Sequence, residues 1–187
     1  MSRDRVNSFA ELEYFDPSKV LLEAQRQGFS HRPGAREAVL RRGHEHNGVI
    51  EHLDATVFAH GLAMLMPHLT VHIARLERQD HDFVLRFVHE GEPYYCPLQL
   101  KELVPAEVNP HQEPERLIAS LAKYGDAEDL EVAIKVSREA IDPRALPSPQ
   151  LRLGGLWFFG GLGADPRRWY VYGNCLDSPS WFEFPLP

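Results

Sequence analysis

Two side chains able to do chemistry, Gln99 and Lys101, stand two residues apart among the leucines of YYCPLQLKEL, residues 94–103. Side chains alternate along a β-strand, so Gln99 and Lys101 share one face while Leu98 and Leu100 take the other. Asp82 opens the preceding alternating run, HDFVLRF, and an antiparallel neighbour in the right register brings it opposite the pair. A carboxylate, an amide oxygen and a backbone carbonyl are the hard oxygen ligands that Mg²⁺ prefers, with waters completing the octahedron, and Mn²⁺ accepts the same set. Such an ion polarises a phosphoryl oxygen and lowers the pKa of a bound water. A lysine beside it orients that water or stabilises charge building on the phosphate. Gln in place of a carboxylate keeps an oxygen ligand and removes a negative charge, so metal affinity falls unless another acid helps. Glu51, in the preceding apolar helix, is the first candidate, with Glu37 and Glu45 behind it. The competing reading is a solvated strand face that happens to start with a turn-forming Asp.

Other residues that could do chemistry carry less. His44 and His46 form an HxH, His52 follows, and His68 and His72 stand four apart, which on one helical face would suit zinc. Pro67 stands just before His68, however, and the residues after it alternate like a strand, so solvated or hydrogen-bonded histidines are the better account. GLWFFGGLG lacks the Lys-Ser/Thr of a phosphate loop and opens no helix, so it reads as a strand with bulges. The aromatics around it, Trp157, Phe158, Phe159, Trp169, Tyr170, Tyr172, Trp181 and Phe182, could stack bases but fit a core better. No Ser-His-Asp order stands out, and Cys96 beside Pro97 has no obvious base.

Composition narrows the class. A chain of 187 residues with 43% apolar and 25% charged residues is long enough for a real core and typical of soluble proteins. No apolar run approaches the roughly 20 residues of a membrane span, and MSRDRVNSFAELEYF has no apolar signal region, so the expectation is a cytoplasmic protein. Cys96 and Cys175 make neither a CxxC nor a framework, in keeping with a reducing compartment. A formal charge of −7 argues against a nonspecific polyanion binder, although arginines cluster at Arg32, Arg36, Arg41 and Arg42 and at Arg167 and Arg168.

The elements that must position the candidate residues follow from the period of the apolar residues. DPSKVLLEAQRQGF predicts a short helix capped by Asp16 or Ser18 and stopped at Gly28. Val49, Leu53, Val57, Phe58, Leu62, Leu65 and Met66 keep helical period up to Pro67. Period two then takes over in LTVHIARL, DFVLRFV and YYCPLQLKELV, which predicts an antiparallel meander over residues 69–104. EPERLIASLAKYG predicts a helix over 113–124, and LEVAIKVS, 130–137, a buried central strand. After a proline-rich connector, residues 150–187 predict two or three aromatic-rich strands at a sheet edge or in a small sub-sheet. The expected class is α+β with a three-layer tendency, in a single domain spanning 1–187. Its parts are an N-terminal helical segment, 1–48, a core, 49–137, and the C-terminal strands, 150–187.

The order helix, strand, strand, strand, helix, strand over 49–137 resembles the αβββαβ core of the PD-(D/E)XK (restriction-endonuclease-like) nuclease superfamily. There the second strand opens with Asp, and the third carries an acid or sometimes Gln, then any residue, then Lys. Asp82, Gln99 and Lys101 match those positions, with His81 where a Pro often stands and Gln99 where an acid is usual. The resemblance covers about half of the chain and implies a metal-dependent phosphodiesterase acting on DNA. Asp82, Gln99 and Lys101 would be its catalytic residues, with Mg²⁺ or Mn²⁺ on Asp82, Gln99 and Glu51. The alternative it leaves open is an inactive descendant of the fold that binds a protein partner or regulates.

Overall fold

The structure is a computed structural model and describes residues 8–28, 45–76, 81–138, 141–146 and 150–187. Helix α1 (Pro17–Arg26) starts where Asp16 accepts the amides of Ser18 and Lys19, and Pro17 sits where its missing N–H costs nothing. Helix α2 (Glu45–Leu65) ends before Pro67, as its apolar period predicts. The meander follows as β1 (Thr70–Arg75), β2 (Phe83–His89) and β3 (Glu92–Leu103). Helix α3 is shorter than the sequence predicts: Pro114–Ala119 is α-helical, and Ser120–Tyr124 tightens into 3₁₀ geometry before Gly125. A six-residue α-segment has few internal hydrogen bonds, and burial of Ile118 and Leu121 is what holds it.

Strand β4 (Asp126–Val136) starts earlier than the predicted 130–137 and takes in the acidic DAED ahead of it. It is followed by β5 (Arg152–Gly161), β6 (Arg168–Gly173) and β7 (Ser180–Pro185). All seven strands form one mixed sheet in sequence order. Pairing is antiparallel through β1–β2–β3, parallel for β3–β4 and β4–β5, and antiparallel again through β5–β6–β7. The molecule is therefore α+β, with the αβββαβ order present in 49–137. Of the two places expected for the C-terminal strands they take the first: they continue the main sheet to its edge and make no sub-sheet of their own.

That extension explains helix α2. Every residue from Leu53 to Leu62 is buried, where a helix lying on one face of a flat sheet would keep one side wet. The sheet curls around it, so Val57, Phe58 and Leu62 meet Ile73, Leu85, Leu98 and Leu100 together with Trp169, Val171 and Phe184. Gly61 lets the far strands close: a Cβ there would come within 2.7 Å of Phe184 and Val171. The other face of the sheet holds a second core, in which Ile118 and Leu121 pack on Leu103, Val132, Ile134, Leu156 and Phe158. No helix among the described residues is long and apolar enough to cross a membrane.

Several of the polar groups that the curl buries are paired. His60 meets the Pro185 carbonyl through Nε2 and Ser18 Oγ through Nδ1, each at 3.1 Å, which fits a neutral ring carrying its proton on Nε2. Thr56 Oγ1 donates to the His52 carbonyl at 2.7 Å. Lys135 of β4 reaches Asp54 of α2 at 2.5 Å, and both side chains are almost wholly buried.

Candidate functional site

The face carrying Gln99 and Lys101 is set by β3. Leu98 and Leu100 point into the core around α2 and Leu103 into the second core, so Gln99 and Lys101 lie on the side of the sheet covered by α3. Register brings in Asp82. Phe83 pairs with Leu98, which puts Asp82 level with Gln99 on the neighbouring strand. The Asp82 amide donates to the Leu98 carbonyl at 3.1 Å, and its carbonyl accepts the Leu76 amide at 2.9 Å. The backbone of Asp82 is thus fixed from both sides, at the point where β1 ends and β2 begins. Its carboxylate accepts a hydrogen bond from Gln99 Nε2, which also donates to the Leu100 carbonyl at 3.2 Å. Gln99 is only 5% exposed, so this pair is shielded from competing water.

Lys101 is half-buried, as a residue on this face should be, and its Nζ stands 6.0 Å from the centroid of the Tyr124 ring. It makes no ion pair with Asp82 among the described residues. Glu51 lies within the electrostatic reach of the same groups. Burial pushes its pKa up, the Asp82 charge raises it further, Arg75 and Lys101 pull it down, and Asp54 adds a smaller push upward. The Asp54–Lys135 pair, one helical turn on from Glu51, ties α2 to the sheet and so helps to fix the rotation of the helix that carries Glu51.

Asp82, Gln99, Lys101 and Glu51 are therefore brought to one region. Glu45 opens α2, and Glu37 lies outside the described residues, as do Arg32, Arg36, Arg41 and Arg42. Two neighbours had no signal in the sequence. Arg75 ends β1 and packs against Gly48, where a Cβ would meet its Nη2 at 3.0 Å. Tyr124 reaches Lys101 only because the 3₁₀ turn folds back over β3.

The donor set of two carboxylates and one amide is oxygen-only, which fits Mg²⁺ or Mn²⁺ in chemical type. Among the described residues, no three His, Cys, Asp or Glu side chains converge on one point. His68 is exposed in a turn beside His89, with ring centroids 6.1 Å apart, while His72 lies on β1 with burial lowering its pKa, so the pair does not share a helical face. Both cysteines are free thiols. Cys96 is pushed up to about 12 by burial and by the charges of Glu131 and Asp129, and Cys175 to about 12 by burial, so neither offers a thiolate at neutral pH. Comparison with known proteins gives no match to a family model, a curated protein or a solved structure.

Proposed function

We propose that Asp82, Gln99, Lys101 and Glu51 form the site of a metal-dependent phosphodiesterase acting on DNA, in a nuclease-like αβββαβ core. The observation that carries this reading is the direct Asp82–Gln99 contact across β2 and β3, with Lys101 two residues on along the same face. When bound, Mg²⁺ or Mn²⁺ would supply Lewis-acid polarisation of a phosphoryl oxygen and a bound water of lowered pKa. Asp82 and Glu51 would hold it by carboxylate oxygens and Gln99 by its amide oxygen. The Lys101 ammonium, half-shielded and held near the pair, stabilises charge gathering on the scissile phosphate. Nicking of supercoiled plasmid with either metal tests the reading. Asp82→Ala and Lys101→Ala should abolish it alike while the protein remains folded, and a folded wild type silent with both metals overturns it.

A second reading, an inactive member of the fold that binds a protein or regulates, has one observation in its favour. Gln99 turns its amide nitrogen toward Asp82, so the carboxylate's demand for positive charge is already met by an N–H donor. Metal shared by the two residues requires the amide to turn over and present its oxygen. The net charge of −7 points the same way.

A further inference from the structure

Lys123 is the next residue along from Tyr124, and its Nζ stands 5.0 Å from the centroid of the Tyr124 ring, the ring that Lys101 approaches to 6.0 Å. The two ammonium groups are therefore no more than about 11 Å apart and share one neutral spacer. Among the described residues neither is ion-paired, although the chain carries 27 acids against 20 lysines and arginines. Two cations beside one ring without carboxylate partners are notable on so acidic a chain, and one of them, Lys101, shares a strand face with Gln99. The turn beneath them is anchored at both ends. Leu121 anchors the 3₁₀ turn in the second core, and Gly125, at φ +59°, stops it directly after Tyr124. A cation–π contact at an exposed site is strong enough to order the lysine stem and too weak to hold the ammonium against a phosphate.

We propose that Lys123, positioned by Tyr124, binds a phosphate close along the same strand to the one acted on beside Lys101. The ligand is then a run of consecutive phosphates of one nucleic-acid strand. At ~3.4 Å of axis per nucleotide, a gap of at most about 11 Å spans no more than about three nucleotides. The inference rests on the phosphodiesterase reading for the role of Lys101, while the contact of Lys123 with the strand needs no catalysis.

Binding of a short fluorescein-labelled oligonucleotide, followed by polarisation in EDTA across a salt series, separates the two. For Lys123→Ala the slope of log K against log salt should become shallower by ~0.7–0.9, the share of one phosphate. Lys123→Arg should restore it, Tyr124→Phe should retain it, and Tyr124→Leu should lose part of it. Lys123 is exposed, so its variants should keep the wild-type melting temperature. If plasmid nicking is present, Lys123→Ala should raise KM more than it lowers kcat. A silent wild type whose oligonucleotide binding still depends on Lys123 removes the catalytic reading and keeps this one. Unchanged affinity and salt slope in Lys123→Ala, or no oligonucleotide binding by the wild type, overturns the inference.

Discussion

In the proposed site Gln99 stands where a carboxylate would bind a metal ion more strongly, and its N–H satisfies Asp82 without any ion. Gln99→Glu exchanges that hydrogen bond for two carboxylates in contact, so the metal-free protein should lose stability and the pair should gain affinity for divalent cations. Thermal melting should show a lower Tm in EDTA and a larger rise on adding Mn²⁺ than in the wild type; equal Mn²⁺ responses would remove Gln99 from the metal set. Glu131 offers a second residue-scale test. Its carboxylate accepts Trp157 Nε1 at 2.7 Å and lies over Gly155, where a Cβ would be driven into it. Burial raises its pKa, with the indole N–H acting in the opposite sense. The unfolded chain releases this proton at the ordinary carboxylate value and the folded chain only at higher pH. Its contribution is therefore intact below the ordinary value and is lost as pH rises through the window above it. Glu131→Gln keeps an acceptor for Trp157 and cannot titrate, so Tm should rise at neutral pH and its decline above the ordinary carboxylate range should flatten. Parallel pH profiles would refute this. The shared face of Gln99 and Lys101 was legible because strand alternation is local, while the place of Asp82 opposite them depended on the register of β2 with β3. The niche of Glu131 was not, because it depends on the pairing of β4 with β5.

At the scale of elements, hydrophobic period located α2 and the meander to within a few residues, because each change of period falls at a proline or a polar turn. It overextended α3, since an apolar pattern does not distinguish α from 3₁₀ geometry in the last turn. Nor did it foresee that α2 would be held by a buried ion pair, because Asp54 and Lys135 are 81 residues apart in sequence. Removing one partner strands the other charge in the core. Asp54→Ala should cost about 3–5 kcal/mol in chemical denaturation, whereas the double change Asp54→Leu with Lys135→Met should be near neutral or stabilising. If the single change costs less than about 1 kcal/mol, solvent reaches Lys135 and the pair is no anchor. Because the pair also helps to fix the rotation of α2, Asp54→Ala should weaken divalent-metal binding through Glu51 even where the protein stays folded.

At the scale of the whole molecule, the sheet closes around α2 from both ends, and the strands after residue 150 supply the second half of that wrap. Aromatic runs broken by Gly-Gly pairs announced strands but not their place in the sheet, because strand order is a long-range property. The clue was in the helix: Ala55, Ala59 and Gly61 are small residues on a helix buried on every side, and they admit a second layer at close range. Gly61 tests the closure. A methyl group there meets the side chains of Phe184 and Val171 at 2.7 Å, and their burial in the core limits how far either can yield. Gly61→Ala should therefore cost about 1–3 kcal/mol by overpacking, read as a lower denaturant midpoint, despite the better helix propensity of alanine. Gly61 lies ten residues beyond Glu51, about 15 Å along the helix axis, and shares no strand with Asp82 or Gln99. The strain should fall on β6 and β7 and leave divalent-metal affinity at the Asp82–Gln99 pair unchanged, unlike Asp54→Ala, which should lower both stability and affinity. If Gly61→Ala weakens metal binding as much as Asp54→Ala does, the C-terminal strands help to position the site, and the division between a site-bearing half and a closing half of the sheet is wrong.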